Sequence, residues 1–448
     1  MSERDSYLAQ FYGKSQNYTD IPNAWFKQYD VKKGLRNEDG TGVRVGLTRV
    51  SDVVGYAIAD DGEVEPATGR LFYRGINVSD LVRGKGTGHF GYEEACFLLL
   101  FGYLPKQREL DEFCDILREC YELPSDFIEM NLLRMPGRNL MNKLQNAVLS
   151  FYNYDDDPDN TGVYDTLVKG VNLLAKLPSI ACYAYQSKAH YFNRDSLFIH
   201  YANPEYSLAE NILNLLRRDQ AFTQKESGLL DTLLMIHADH GGGNNSTFTN
   251  VVISSTGTDL YSAVSGSIGS LKGPRHGGAN IKVAEMIDAV LEDAGGYDAT
   301  EAQLADTAQK ILAGKLYDGS KLLYGFGHAV YTVSDPRAEI LRDCCETVAR
   351  EKDQMEQFEF YRRFEKVAHE ALEARRGEPV PTNVDFYSGF AYRMLDIPRD
   401  LYTPMFVCSR MAGWLAHNIE NKLYDGRIMR PATKYVGEGQ DYVPMEER

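Results

Sequence analysis

The stretch QFEFYRRFEKVAHEALEARRGEP, Gln357 to Pro379, decides the fold class. Phe360, Phe364, Val367 and Ala371 recur at the spacing that lines one face of an α-helix. The segment closes on Arg375, Arg376, Gly377 and Pro379: cations in the last turn, a glycine just past the end, then a proline stop. The same grammar recurs upstream of this stretch. Ser207 precedes a stripe of Leu208, Ile212, Leu215 and Leu216. Thr223 and Glu226 form a capping-box pattern ahead of Leu229, Leu230, Leu233 and Leu234. Asp335 and Pro336 read as N-cap and first helical residue before Ala338, Leu341, Cys345 and Val348. Only the first 90 residues read differently, with short strands expected at Val43–Arg49, Val53–Ile58 and Arg70–Tyr73. The chain is therefore expected to be mainly α, with a minor N-terminal β element. The strand–helix alternation of a doubly wound sheet is absent.

The chain has 448 residues and a net charge of −16, which argues against a general nucleic-acid binder. An anion pocket in such a chain must be built locally, from clustered arginines. The longest nearly apolar run, about Ala95 to Leu104, is too short to span a bilayer. The N-terminus carries early acids and no apolar stretch of the kind a secretory signal needs. Seven thinly spread cysteines without a CxxC pair fit reduced thiols and a cytoplasmic setting, and give a zinc ribbon nothing to stand on.

Short glycine-rich segments between the helices hold the chemistry-bearing side chains. They are HADHGGG (His237 to Gly243), GPRHGGAN (Gly273 to Asn280) and GFGHAV (Gly325 to Val330). Any one of these histidines alone reads more readily as a hydrogen-bonded structural residue than as a catalyst. His237 and His240 could face one metal if helical, but HExxH is not completed and no third ligand stands at a familiar distance. Asp155 to Thr166 opens like a calcium loop, then places Asn160 at its sixth position and Thr166 at its twelfth, so that reading fails. Gly266 and Gly269 lack the Gly-Lys-Ser/Thr of a phosphate loop and read as a close helix–helix approach. Asp385 reads either as the cap of a helix starting at Phe386 or as a carboxylate base, and the sequence leans to the cap. Arg337, Arg410 and Arg430, with several histidines, suggest a small polyanion such as a dicarboxylate, held bidentately.

In this order the motifs resemble the citrate synthase family. The residues that carry the likeness are HADHGGGNNST (His237 to Thr247), SLKGPRHGGAN (Ser270 to Asn280), GFGHAVYTVSDPRA (Gly325 to Ala338), NVDFYSG (Asn383 to Gly389), SRMAGW (Ser409 to Trp414) and RIMRPATKYVG (Arg427 to Gly437). LFYRGINVSDLV (Leu71 to Val82) and YEEACFLLLFGYLP (Tyr92 to Pro105) match the family's early segments. The resemblance implies a two-domain helical enzyme, with a large domain from 1–281 and 395–448 and a small one from 282–394 that closes over the site. It implies a homodimer and the condensation of acetyl-CoA with oxaloacetate, followed by hydrolysis of citryl-CoA to citrate and CoA. Acetyl-CoA is then a substrate, and neither a cofactor nor a metal is expected. His276 matches the histidine on the thioester carbonyl, Asp385 the base that removes the methyl proton, and His328 the group that polarises the ketone of oxaloacetate. His240, Arg337, Arg410 and Arg430 match its oxaloacetate contacts, Arg430 coming from the partner subunit.

The chain departs from the pattern at three places. Thr332 stands where many relatives carry a Lys or Arg thought to reach the CoA phosphates, with Arg375 and Arg376 as candidate replacements. Gly241 follows His240 where many relatives have Glu, and Arg275 fills a slot that is often small or apolar. A 2-methylcitrate synthase using propionyl-CoA stays open, because one methylene discriminates by only about 1–3 kcal/mol. A silent helical scaffold would need none of His276, His328, Asp385 or Arg337. A metal-dependent hydrolase is the third reading.

Overall fold

A computed structural model describes residues 3–38, 40–58, 64–86, 88, 90–424, 426–439 and 441–448, with backbone alone at 3, 4, 16–18, 58 and 64. The chain forms two units, Met1–Gly46 with Met429–Arg448, and Leu47–Ile428. The first holds a helix Glu3–Thr19, a short helix Ala24–Gln28 and a C-terminal tail whose described residues have no regular structure until a turn at Met445–Glu447. The second holds the β element and the main helical body.

Strands β1 (Ser51–Ile58), β2 (Val64–Tyr73) and β3 (Ile76–Asn77) form one antiparallel sheet in that order. Two of the expected strands are found there. The third, Val43–Arg49, is not paired as a strand: its side chains are mostly exposed, so it buries no face against a partner. The expected helices form as Leu208–Leu216, Gln224–His237, Pro336–Glu351 and Met355–Arg376. Ser207 and Thr223 each accept the backbone N–H three residues on, and Gly377 ends its helix at φ 77°.

Two helices make the floor of the site. Gln224–His237 and Tyr402–Leu423 are buried almost all round, as helices at the centre of a large core must be. Gly170 of the long helix Val163–Lys188 sits against Leu415, leaving no room for a Cβ between the two helices. Gly266, on Leu260–Leu271, likewise meets Ile253 of Asn245–Ser254, the close approach expected of it. Among the described residues, no helix is long and apolar enough to cross a membrane.

Candidate active site

The end of the 224–237 helix would leave carbonyls unsatisfied in the core, and those of Leu234, Met235, His237 and Ala238 find specific donors. The Tyr73 hydroxyl, on β2, lies 2.9 Å from the Met235 carbonyl and 3.2 Å from that of Asp239. Ser409 donates to the Leu234 carbonyl, Arg410 Nε to that of His237 at 2.6 Å, and the Gly413 N–H to that of Ala238 at 3.1 Å. The turn that follows is fixed by Asp239. Its carboxylate accepts from Ser51, from the Gly241 N–H at 2.9 Å, and from His417 Nε2 at 3.2 Å. Burial opposes ionisation of Asp239, but His417 and Arg410 hold its carboxyl well below the usual range. Gly241 takes φ 83°, which suits glycine, and His240 is thereby aimed inward. Burial, then Arg337, His328, Arg410 and His276, keep His240 neutral, and its Nε2 has no hydrogen-bond partner among the described residues.

Arg410 is fully buried on the 402–423 helix. Its Nε is satisfied, whereas Nη1 and Nη2 lack partners among the described residues. Burial lowers it to about 10, yet it stays charged near neutrality. A buried guanidinium with one free edge is a receptor for a carboxylate.

His276 follows the 260–271 helix in a turn closed by Gly277 N–H to the Leu271 carbonyl at 3.0 Å. A Cβ at Gly277 would stand 2.8 Å from that oxygen, so close approach is what the glycine supplies here. His276 Nε2 lies 3.1 Å from the Ser246 hydroxyl, which accepts the Trp414 indole N–H at 3.1 Å. Burial and Arg410 push the imidazole down to about 4, so it is neutral at pH 7.

His328 and Asp385 are coupled through one short pairing. The Gly327 N–H donates to the Pro381 carbonyl at 2.7 Å, and the Asn383 N–H to that of Gly325 at 2.9 Å. Gly325 and Gly327, at φ 88° and 82°, make the bend. Asn383 caps the helix Val384–Met394 by accepting the Asp385 N–H at 3.1 Å. The cap is thus Asn383, and Asp385 lies inside the first turn with its carboxyl released from capping. Burial raises that carboxyl to about 7, against the pull of Arg337 and with the Asp335 carboxylate adding to the rise. His328 Nδ1 accepts the N–H groups of Val330 and Tyr331 at 3.0 and 3.1 Å. Its Nε2 therefore carries the ring proton.

Arg337 caps nothing itself. Asp335 caps the 336–351 helix, pairs with Arg337 through Nε at 3.0 Å and Nη2 at 2.8 Å, and also accepts the Val384 N–H at 3.2 Å. One carboxylate so ties the arginine to the helix that carries Asp385. Tyr331 stacks on His328 at 4.5 Å between ring centroids and lies under Arg337 at 5.6 Å.

The structure gathers His240, His276, His328, Arg337, Asp385 and Arg410 into one electrostatically coupled cluster. Arg430 belongs to the other unit, where it is exposed. Arg275, Arg375 and Arg376 are exposed, and Arg375 donates to the Lys321 carbonyl at 3.1 Å. Among the described residues no group of three His, Cys, Asp or Glu side chains is arranged to hold a metal ion. Sequence reasoning missed Ser246, Asp335 as a tie between two helices, and the Asp239–His417 pair. Ser246 and Asp335 lie inside quoted motifs, but their partners lie far along the chain.

The profile described as "Citrate synthase, C-terminal domain" matches residues 39–432. A citrate synthase of Haloferax volcanii is 35% identical over 94% of this chain and 99% of its own length. A 2-methylcitrate synthase of Shewanella oneidensis is 33% identical over 82% of this chain and 88% of its own. The solved ternary complex of a citrate synthase from Thermoplasma acidophilum with carboxymethyl coenzyme A and oxaloacetate superposes with a TM-score of 0.76 at 26% identity, covering 93% of this chain and 99% of that one.

Proposed function

The chain belongs to the citrate synthase family of acyl-transferring enzymes, and from that premise we propose that it condenses acetyl-CoA with oxaloacetate to give citrate and CoA. The observation that carries the proposal is the Asp385 carboxyl at about 7, facing a cluster in which His276 is neutral and His328 presents Nε2–H. A thioester α-proton is weakly acidic, so a carboxylate removes it only if the carbonyl oxygen is stabilised at the same moment. A Ser246 proton directed at His276 Nε2 leaves Nδ1–H as that donor. The resulting enol attacks the ketone of oxaloacetate, whose oxygen takes a hydrogen bond and then a proton from His328. Arg410, Arg337 and His240 hold the two carboxylates. Water then cleaves citryl-CoA to citrate and CoA, and no cofactor takes part.

The same reading includes a homodimer in which Arg430 completes the partner's site, and closure of 282–394 over oxaloacetate. The likeness to 2-methylcitrate synthases favours one second reading, with propionyl-CoA as the thioester. Thiol release decides between them: oxaloacetate is supplied with acetyl-CoA and, separately, with propionyl-CoA. The expected result is oxaloacetate-dependent CoA release with a higher kcat/KM for acetyl-CoA. The reverse ratio selects the second reading, and no release with either thioester refutes both.

A further inference from the structure

The sheet and the His328 loop meet at a defect in the β ladder. Val54 pairs with Arg70 and Tyr56 with Pro66, so Gly55 alone stands opposite residues 67–69 of β2. A bulge of this kind leaves backbone groups without strand partners. Here a side chain from elsewhere takes them: the Thr332 hydroxyl donates to the Gly55 carbonyl and accepts the Ala67 N–H at 3.2 Å. The backbone around Thr332 is seated just as closely. A Cβ at Gly55 would stand 2.6 Å from the Tyr331 Cα, and one at Gly69 2.8 Å from Tyr331 Cδ1 and inside the Ser334 carbonyl oxygen. The loop pressed into the bulge supplies both N–H groups that orient His328, through Val330 and Tyr331.

We propose that Thr332 is a positioning residue for the oxaloacetate side of the reaction: its hydroxyl plugs the β1–β2 bulge and thereby fixes the loop that holds His328 as a donor. The residue turns away from any role toward the CoA phosphates, because its one hydroxyl is spent on Gly55 and Ala67. The two glycines are part of the same device, since only a residue without a side chain lets the loop backbone reach the strands. This inference rests on the proposed condensation.

The test uses the full-length enzyme and three variants, Thr332→Val, Thr332→Ser and Thr332→Lys. Calorimetry measures binding of oxaloacetate and of CoA, and thiol release gives kcat and KM. Loss of the hydroxyl in Thr332→Val is expected to weaken oxaloacetate binding and to lower kcat/KM for oxaloacetate about fivefold to tenfold. CoA binding should be unchanged. Thr332→Ser should stay near wild type, and Thr332→Lys should behave as Thr332→Val without tighter CoA binding. A Thr332→Val enzyme with wild-type oxaloacetate affinity and turnover overturns the proposal, as does a loss confined to CoA. Should the Val variant not fold, hydrogen exchange of wild-type residues 64–73 with and without oxaloacetate decides. Slower exchange with oxaloacetate supports the plug, and unchanged exchange overturns it. Failure of the wild type to release thiol refutes the condensation instead, and the exchange result remains separate from it.

Discussion

His276 and His328 are held in opposite ways. His328 is oriented by two backbone N–H groups of its own loop, which no side-chain substitution at Val330 or Tyr331 other than proline deletes. His276 is oriented by a hydroxyl. Ser246 has one proton and two claimants, His276 Nε2 at 3.1 Å and Asn244 Oδ1 at 2.9 Å. The tautomer of His328 is thus fixed by the course of the chain, and that of His276 by the direction in which the Ser246 hydroxyl points. In the proposed condensation, the donor to the thioester is the adjustable one and the donor to the ketone is set in advance.

The largest effect is expected at the proposed base: Asp385→Asn should lower kcat by about 10²–10⁴-fold, measured by thiol release. Near-normal turnover would displace Asp385 from its role. Next, His276→Gln and His328→Gln should each cost about 10²–10³-fold in kcat, and equal tolerance of both would erase the contrast between them. The acid limb of kcat/KM for the thioester should lie near pH 7, where Asp385 ionises, with activity rising as pH rises through it. A limb near pH 4 would assign it to His276 instead. Ser246→Ala should lower kcat about tenfold while sparing oxaloacetate binding, since it unseats the adjustable histidine and also leaves the Trp414 indole N–H without its acceptor. The smallest effect is on stability. The raised Asp385 carboxyl binds more protons folded than unfolded between its usual range and about 7, so it destabilises the native state as pH rises through that window. Asp385→Asn should therefore raise Tm, and by more at pH 8 than at pH 5.

The helices and the residues that gather in the cluster were legible because their signals are local. Caps, periodic faces and glycine-flanked histidines need only a few neighbours. Asp385 was half legible: its motif pointed to a base while its position suggested a cap, and only the structure shows Asn383 taking that place. Strand Val43–Arg49 was misread because alternation alone does not guarantee a partner. Thr332 was legible as a departure but not as a contact, since its partners lie 265 and 277 positions away. Separation along the chain likewise hid the Asp239–His417 pair, 178 positions apart.

The carbonyls at the end of the 224–237 helix are taken up by Tyr73, Ser409, Arg410 and Gly413, from the sheet and from the central helix. Fraying of that helix end is therefore not a separate event from melting of the body around it. Heat inactivation should follow the same curve as loss of helical signal, rather than precede it as it does where a catalytic loop detaches first.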